Sequence, residues 1–232
     1  MTTSRLQDAE INGFKSPLPS KATLLPPARS RGSFRSSLVL RTKADGQDRV
    51  FYTHSRGERN CLLLYAAMPN VHDIWEQPNR LSYDSDGKIR HHTPDFLLTL
   101  ICGKKVAVAY RPEERAKAEY RRELRRLSDQ MPKGYADKFM LVTDRSFTRE
   151  QAYNADLFHA FSKSPDPDAD SALQDVLSTL IGHVSIENLC KLIGLVGRSF
   201  AAVVRAVFQG ALKQTCKGYL ELNSVVAKGA LS

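Results

Sequence analysis

The sequence predicts an α/β domain of roughly 100 residues followed by a small helical module. Three observations point there: strand-like and helix-like signals alternate over residues 48–145, a Pro- and Asp-rich stretch follows, and beyond it come three helical runs punctuated by Gly or Ser. The 232-residue chain is 42% hydrophobic and 25% charged, a globular composition with room for both parts.

RVFYTH opens the first part as a short β-branched and aromatic strand. GERNCLLLYAAM puts Cys61, Leu62, Tyr65 and Met68 on one helical stripe, and Pro69 ends it. VHDIWEQPNRLSY, HTPDFLLTLI and KKVAVAY read as three strands of a meander, with turns at DSDGK and at Cys102-Gly103. Trp75, Tyr83 and Phe96 are expected to pack that sheet against its helices. PEERAKAEYRRELRRL is expected to be a helix burying Ala116, Tyr120, Leu124 and Leu127. Pro112 would sit in its first turn, and Glu113 and Glu114 would answer the positive helix end and pair with Lys117. KFMLVTD is a further strand, and FTREQAYNADLFHAF a helix opened by Thr148.

SKSPDPDADS reads as a linker. After it, ALQDVLSTLIGH, SIENLCKLIG and RSFAAVVRAVFQGALKQ read as three helices, and KGYLELNSVVAKG as two short β runs, the order of a winged-helix-like module. The expected organisation is a flexible arm over 1–28, the α/β domain over 29–162, a linker over 163–171 and the small module over 172–232.

A formal charge of +9 and a pI near 9.5 favour an anionic partner, and double-stranded DNA leads. No apolar run nears the ~18 residues of a membrane span, and MTTSRLQDAE lacks a signal-peptide core, so the expectation is a cytoplasmic, nucleoid-associated bacterial protein with no membrane partner. The four cysteines are too scattered for a zinc finger or a disulfide framework, and Cys61 and Cys190 read as buried small hydrophobes. Arg29, Arg31, Arg35, Arg41 and Lys43 form a basic stretch free of acids, in which Arg31 and Arg35 are candidate phosphate contacts. The third helix of the small module carries Arg198, Arg205 and Lys213, candidates for a DNA-facing surface.

Chemistry concentrates in SRGER, WEQPNRLSY, HTPDF and VAVAYRP. A helix acid, then Pro-Asp at a strand start, then an acid-X-Lys on the next strand is how restriction-type nucleases hold divalent cations at a phosphate. The basic lead-in, Ser-X-X-Glu-Arg, the EQP strand with its following Tyr, TPDF and a late LVTD segment occur together, and in this order the sequence resembles the N-terminal nuclease domain of TnsA-type endonucleases. These belong to the PD-(D/E)XK superfamily and work with a DDE transposase in heteromeric cut-and-paste transposition. The resemblance implies a restriction-endonuclease-like α/β core of mixed sheet with flanking helices, and a C-terminal winged-helix-like domain. It also implies Glu58 as helix acid and Asp95 as principal carboxylate, both binding Mg²⁺ or Mn²⁺ in an active enzyme, with a DDE transposase or AAA+ ATPase subunit as protein partner. At the acid-X-Lys position the sequence reads Ala109-Tyr110-Arg111. Alanine offers no oxygen, and Arg111, always protonated, suits phosphate holding better than proton transfer. The expected function is therefore DNA binding by an incomplete nuclease in transposition or recombination. An active metal-dependent endonuclease using a migrated Glu113 or Glu114, or a ligand from His91 or His92, and a non-catalytic scaffold for a transposase are its rivals.

Overall fold

The computed structural model describes residues 15–25 and 34–229, which divide into two compact units, Met1–Ser146 and Phe147–Ser232. In the first unit β1 (Ser36–Arg41) and β2 (Asp48–Thr53) pair antiparallel and lead into α1 (Arg56–Ala67). Ser55 caps α1 by accepting from the Glu58 N–H, and Cys61, Leu62, Leu63 and Tyr65 form its buried face. Met68, expected on that stripe, is the C-cap and is exposed.

The run expected as one strand through VHDIWEQPNRLSY breaks in two. β3 (Val71–Glu76) ends where Gln77 takes a positive φ of 43° and Pro78 has no N–H to give a ladder. β4 (Leu81–Ser85) then turns away to pair with β5 (Lys88–His92) as a separate hairpin, closed by Asp86 and Gly87 at φ 56° and 76°. β6 (Phe96–Leu100) returns antiparallel to β3, and β7 (Lys105–Tyr110) antiparallel to β6.

The helix expected from Pro112 starts later. A 3₁₀ turn, Glu113–Arg115, precedes α2 (Ala118–Asp129), because Ala116 leaves helical geometry at ψ 51°. β8 (Lys138–Val142) then joins β7 in parallel, completing a mixed sheet of order β3-β6-β7-β8. Tyr65 of α1 lies edge-on to Phe96, and Leu124 and Leu127 of α2 pack with Ala109, Leu81 and Tyr83. The sheet thus carries α1 on one face and α2 on the other, the mixed α/β architecture expected for this unit.

Part of the expected arm is also structured. Residues 18–23 lie along the fold: Leu18 bridges to Arg49, the Trp75 indole donates to the Lys21 carbonyl, and the Thr23 N–H and hydroxyl both donate to the Gln77 carbonyl. Backbone hydrogen bonds satisfied on β2 and β3 hold a segment that has no core of its own. Residues 1–14 and 26–28 of that arm lie outside the described residues.

In the second unit α3 (Arg149–Ser162) opens with a capping box between Thr148 and Gln151, and α4 (Pro167–Thr179) begins with Asp166 as N-cap. β9 (His183–Ser185), α5 (Ile186–Ile193), α6 (Ser199–Phe208), β10 (Leu212–Gln214) and β11 (Val225–Lys228) follow. The strands form one antiparallel sheet of order β10-β11-β9; sequence reading missed β9, gave β10 to the third helix, and expected a β run at KGYLELN, where there is no strand. Leu173, Leu177, Ile186, Leu189, Val203 and Val226 centre the core, and Leu157, Phe158 and Phe161 of α3 pack on it.

Two expectations change. The helix 149–162, assigned to the α/β domain, belongs to this unit because its aromatic stripe buries against α6, with Phe158 on Phe208 and Phe161 on Phe200. The expected linker 163–171 contains the start of α4; its Asp and Pro are an N-cap and a first-turn proline. Among the described residues, no helix is long and apolar enough to cross a membrane.

Candidate functional site

Asp95 stands at the head of β6 and is tied on every side. Its backbone N–H donates to the Val108 carbonyl, and its carbonyl accepts from the Gln77 N–H. One carboxylate oxygen accepts from Gln77 Nε2 at 3.1 Å and the other from the Tyr110 N–H at 2.6 Å. Burial pushes the Asp95 carboxyl well above the usual range, and the Glu58 charge pushes it further. Gln77 was quoted in the sequence only as part of EQP; its contact partner lies 18 residues on, across a strand break that pattern reading does not show.

Glu58 is held by its own helix terminus. One carboxylate oxygen accepts from the His54 N–H and the other from the Ser55 hydroxyl, both at 2.8 Å. The helix acid is thus a capping residue whose charge reaches Asp95. Preceding Glu58, Gly57 is needed for close approach: a Cβ there would lie 1.9 Å from the Tyr110 ring. Helix propensity alone would favour alanine by about 1 kcal/mol. Gly57→Ala should instead lower stability by about 1–3 kcal/mol in a thermal melt, and Tyr110→Ala added to it should recover part of that loss.

The decisive geometry is on β7. Tyr110 faces α1, and Ala109 is fully buried on the α2 side among Leu81, Tyr83, Leu124 and Leu127. Strand alternation therefore places Ala107, Ala109 and Arg111 together, and Asp95, just before β6, stands beside them with its carboxylate on the Tyr110 N–H. An acid-X-Lys triplet read along this face in either register, 107–109 or 109–111, meets alanine where the acid belongs. The Arg111 guanidinium lies 4.6 Å over the Tyr120 ring at the exposed end of the row.

Other acids line a cleft beyond this row. A cleft of about 590 Å³ beyond the ends of β7 and β8 is lined by Tyr110, Glu113, Glu114, Asp144 and Arg145. Glu113, expected to pair with Lys117, instead receives Arg121 at 2.8 Å, and its N–H donates to Asp144. His92 lies against Phe139; burial, and then the Arg111 charge, push its imidazole down to about 4. His91, on the opposite strand face, meets the Ser82 hydroxyl at 2.8 Å. Among the described residues no group of three His, Cys, Asp or Glu side chains could hold a metal ion. A hard divalent cation can be held by one or two carboxylates with waters and phosphate oxygens completing its shell; here the Glu58 and Asp95 carboxylates are each engaged by hydrogen-bond donors of the fold.

The fold around Asp95 nevertheless has a recognisable kinship. Residues 68–144 match the family model of the TnsA-like endonuclease N-terminal domain. The TnsA-like segment takes in β3 to β8 with Asp95 and the alanine face of β7, and leaves out α1 and Glu58. No curated protein matches the chain.

The expected nucleic-acid contacts fare unevenly. Arg31 lies outside the described residues, Arg35 is half-buried before β1, and Arg111 and Lys213 are exposed. Arg198 is committed to Asp166 and Asp168, at 2.7 and 3.1 Å. Its guanidinium, together with the Ala169 N–H, holds the Asp166 carboxyl down at about 2. Arg205 is 6% exposed and bound to Asp170 and the Ser164 carbonyl. Arg205 is thus buried within the unit, whereas the Arg198 side chain is 46% exposed beside its two acids.

Proposed function

We propose that the chain is a DNA-binding protein of a mobile element or phage, in which a TnsA-like nuclease fold is kept without an assembled catalytic centre and acts in transposition or recombination. The observation that carries this reading is the row Ala107, Ala109, Arg111 beside Asp95: the face that would need a second carboxylate offers two methyl groups and a fixed cation. Removing an acid from a phosphate-facing row also removes a repulsion that a metal would otherwise screen.

The second unit has the order helix, strand, helix, helix, hairpin of a winged-helix-like domain. With Arg205 buried against Asp170 and the exposed Arg198 paired with Asp166 and Asp168, we assign it to contact with a protein such as a DDE transposase or AAA+ ATPase subunit rather than to base reading. The exposed Leu192 and Val196, and an apolar cleft of about 690 Å³ reaching Val196 and Leu222, support that assignment.

The test is supercoiled-plasmid nicking in Mg²⁺ and in Mn²⁺ beside a gel shift on the same samples. The expected result is salt-sensitive duplex binding with no nicking in either cation. Nicking that Asp95→Ala removes would overturn the reading in favour of an active endonuclease, and salt-insensitive or absent binding would remove the DNA role.

A further inference from the structure

We propose that the β4–β5 hairpin is a grip for the sugar–phosphate backbone of duplex DNA, with Lys88 and Arg90 on its outer strand and the exposed Arg80 just before β4 leading the phosphates toward Arg111. This rests on the DNA-binding reading above and names the surface that performs it.

A two-stranded hairpin is marginal by itself. This one is fixed to α2. Glu123 accepts from the Tyr83 and Ser85 hydroxyls, Arg126 pairs with Asp86 at 2.7 Å, and Gln130 both donates to and accepts from the Asp84 backbone. Those contacts hold β4 and leave β5 outermost, with Lys88, Ile89, Arg90 and His91 all exposed. Among the described residues no further strand pairs with β5, so its edge also offers N–H donors of the kind that meet phosphate oxygens.

The cations of this edge stand beside three acids, of which Asp86 is paired with Arg126 and Glu123 feels both Arg90 and Arg126. Lys88 is thus the cation of β5 without an acid partner among the described residues. Asp84 accepts from the Gly87 N–H, and Glu123 also from two hydroxyls. Arg90 comes only within 3.8 Å of Glu123 and is 53% exposed, a geometry in which an ion pair is worth about 0–1 kcal/mol. Like charges on Lys88 and Arg90 oppose edge-to-edge pairing of two copies, which leaves an anionic partner. A spaced row of cations in a chain of charge +9 fits a repeating anion better than a single acidic strand.

The row also has a direction. β5 ends at His92, three residues before Asp95, and the Arg111 charge is felt at His92. At ~3.3 Å per residue, Arg90 lies about 16 Å of strand from Asp95, the length of roughly five base pairs.

The experiment measures anisotropy of a labelled short duplex across a salt series with the full chain. It compares the wild type with R80A/K88A/R90A, the charge-keeping R80K/K88R/R90K, and K104A/K105A at the far turn of the sheet. The first variant should lower the slope of log K against log salt by about 2–3 and weaken binding about 100-fold or more at 0.1 M salt; the other two should keep the wild-type slope. Lys88→Glu alone, at an exposed position beside the turn, should lower it by about 1 and serves if the triple variant does not fold. A wild-type slope in R80A/K88A/R90A or Lys88→Glu overturns the grip while the DNA-binding reading stands, and would hand this edge to a protein strand. A wild type that binds no duplex overturns both.

Discussion

Arg49→Ala should cost the first unit about 3–5 kcal/mol, read as a loss of roughly 10 °C or more in its thermal melt. Arg49 is fully buried. It donates to Asp45 at 3.3 Å, to Asp73 at 3.0 Å and to the Ile74 carbonyl, and its guanidinium lies 4.5 Å over the Phe51 ring. Truncation leaves Asp45, of which 7% of the side chain is exposed, with Lys21 alone as its cation. Arg49→Lys should recover only part of the loss, because an ammonium cannot serve two carboxylates and a carbonyl as a planar fork does. An acid limb accompanies this. Burial opposes the Asp73 charge, but Lys21 and Arg49 outweigh it and hold the carboxyl below its usual range. A depressed carboxyl stabilises the fold above its unfolded value near 3.9, and that contribution fades as pH falls below it. The wild type should therefore lose stability below about pH 4, and Arg49→Ala should show a flatter dependence there. Equal acid dependence in both would contradict the assignment.

Arg205→Ala should destabilise the second unit by about 2–3 kcal/mol. For a unit of this size each kcal/mol is worth roughly 4–8 °C in the melt. The lower part of the range for buried pairs applies because Asp170 keeps 40% of its side chain exposed and can recover some water. The slope of DNA affinity against salt should not change, since Arg205 faces Asp170 and Ser164. A shallower slope with an unchanged melt would return this arginine to the DNA surface.

Local signals carried much of the fold. Ser55 and Glu58 stand three apart before an apolar stripe, and that spacing alone locates the start of α1. Pro94-Asp95 before FLLTL located the head of β6 equally well. What stayed hidden is non-local. Arg205 and Asp170 are 35 positions apart, and Arg49 and Asp73 are 24 apart, so nothing near either arginine in the chain marks it as structural. The same holds for Glu113, whose neighbour at i+4 is Lys117 but whose partner is Arg121. Asp166-Pro167 is ambiguous in a different way. Asp and Pro open helices and also fill linkers, and the packing of α4 decides between them. At the site, Asp95 was legible by position, whereas Gln77 required knowing that the chain turns left-handed there.

The burial of Ala109 sets the terms on which a carboxylate could enter this face of β7. A glutamate at 109 would not enter an open polar pocket. It would displace Leu124 and Leu127, or be stripped of water among them, at a cost of several kcal/mol before any ion is engaged. An acid at this position is therefore a problem of space rather than of spelling: the packing around Ala109 acts as a ratchet, and a single codon change there would unsettle the domain.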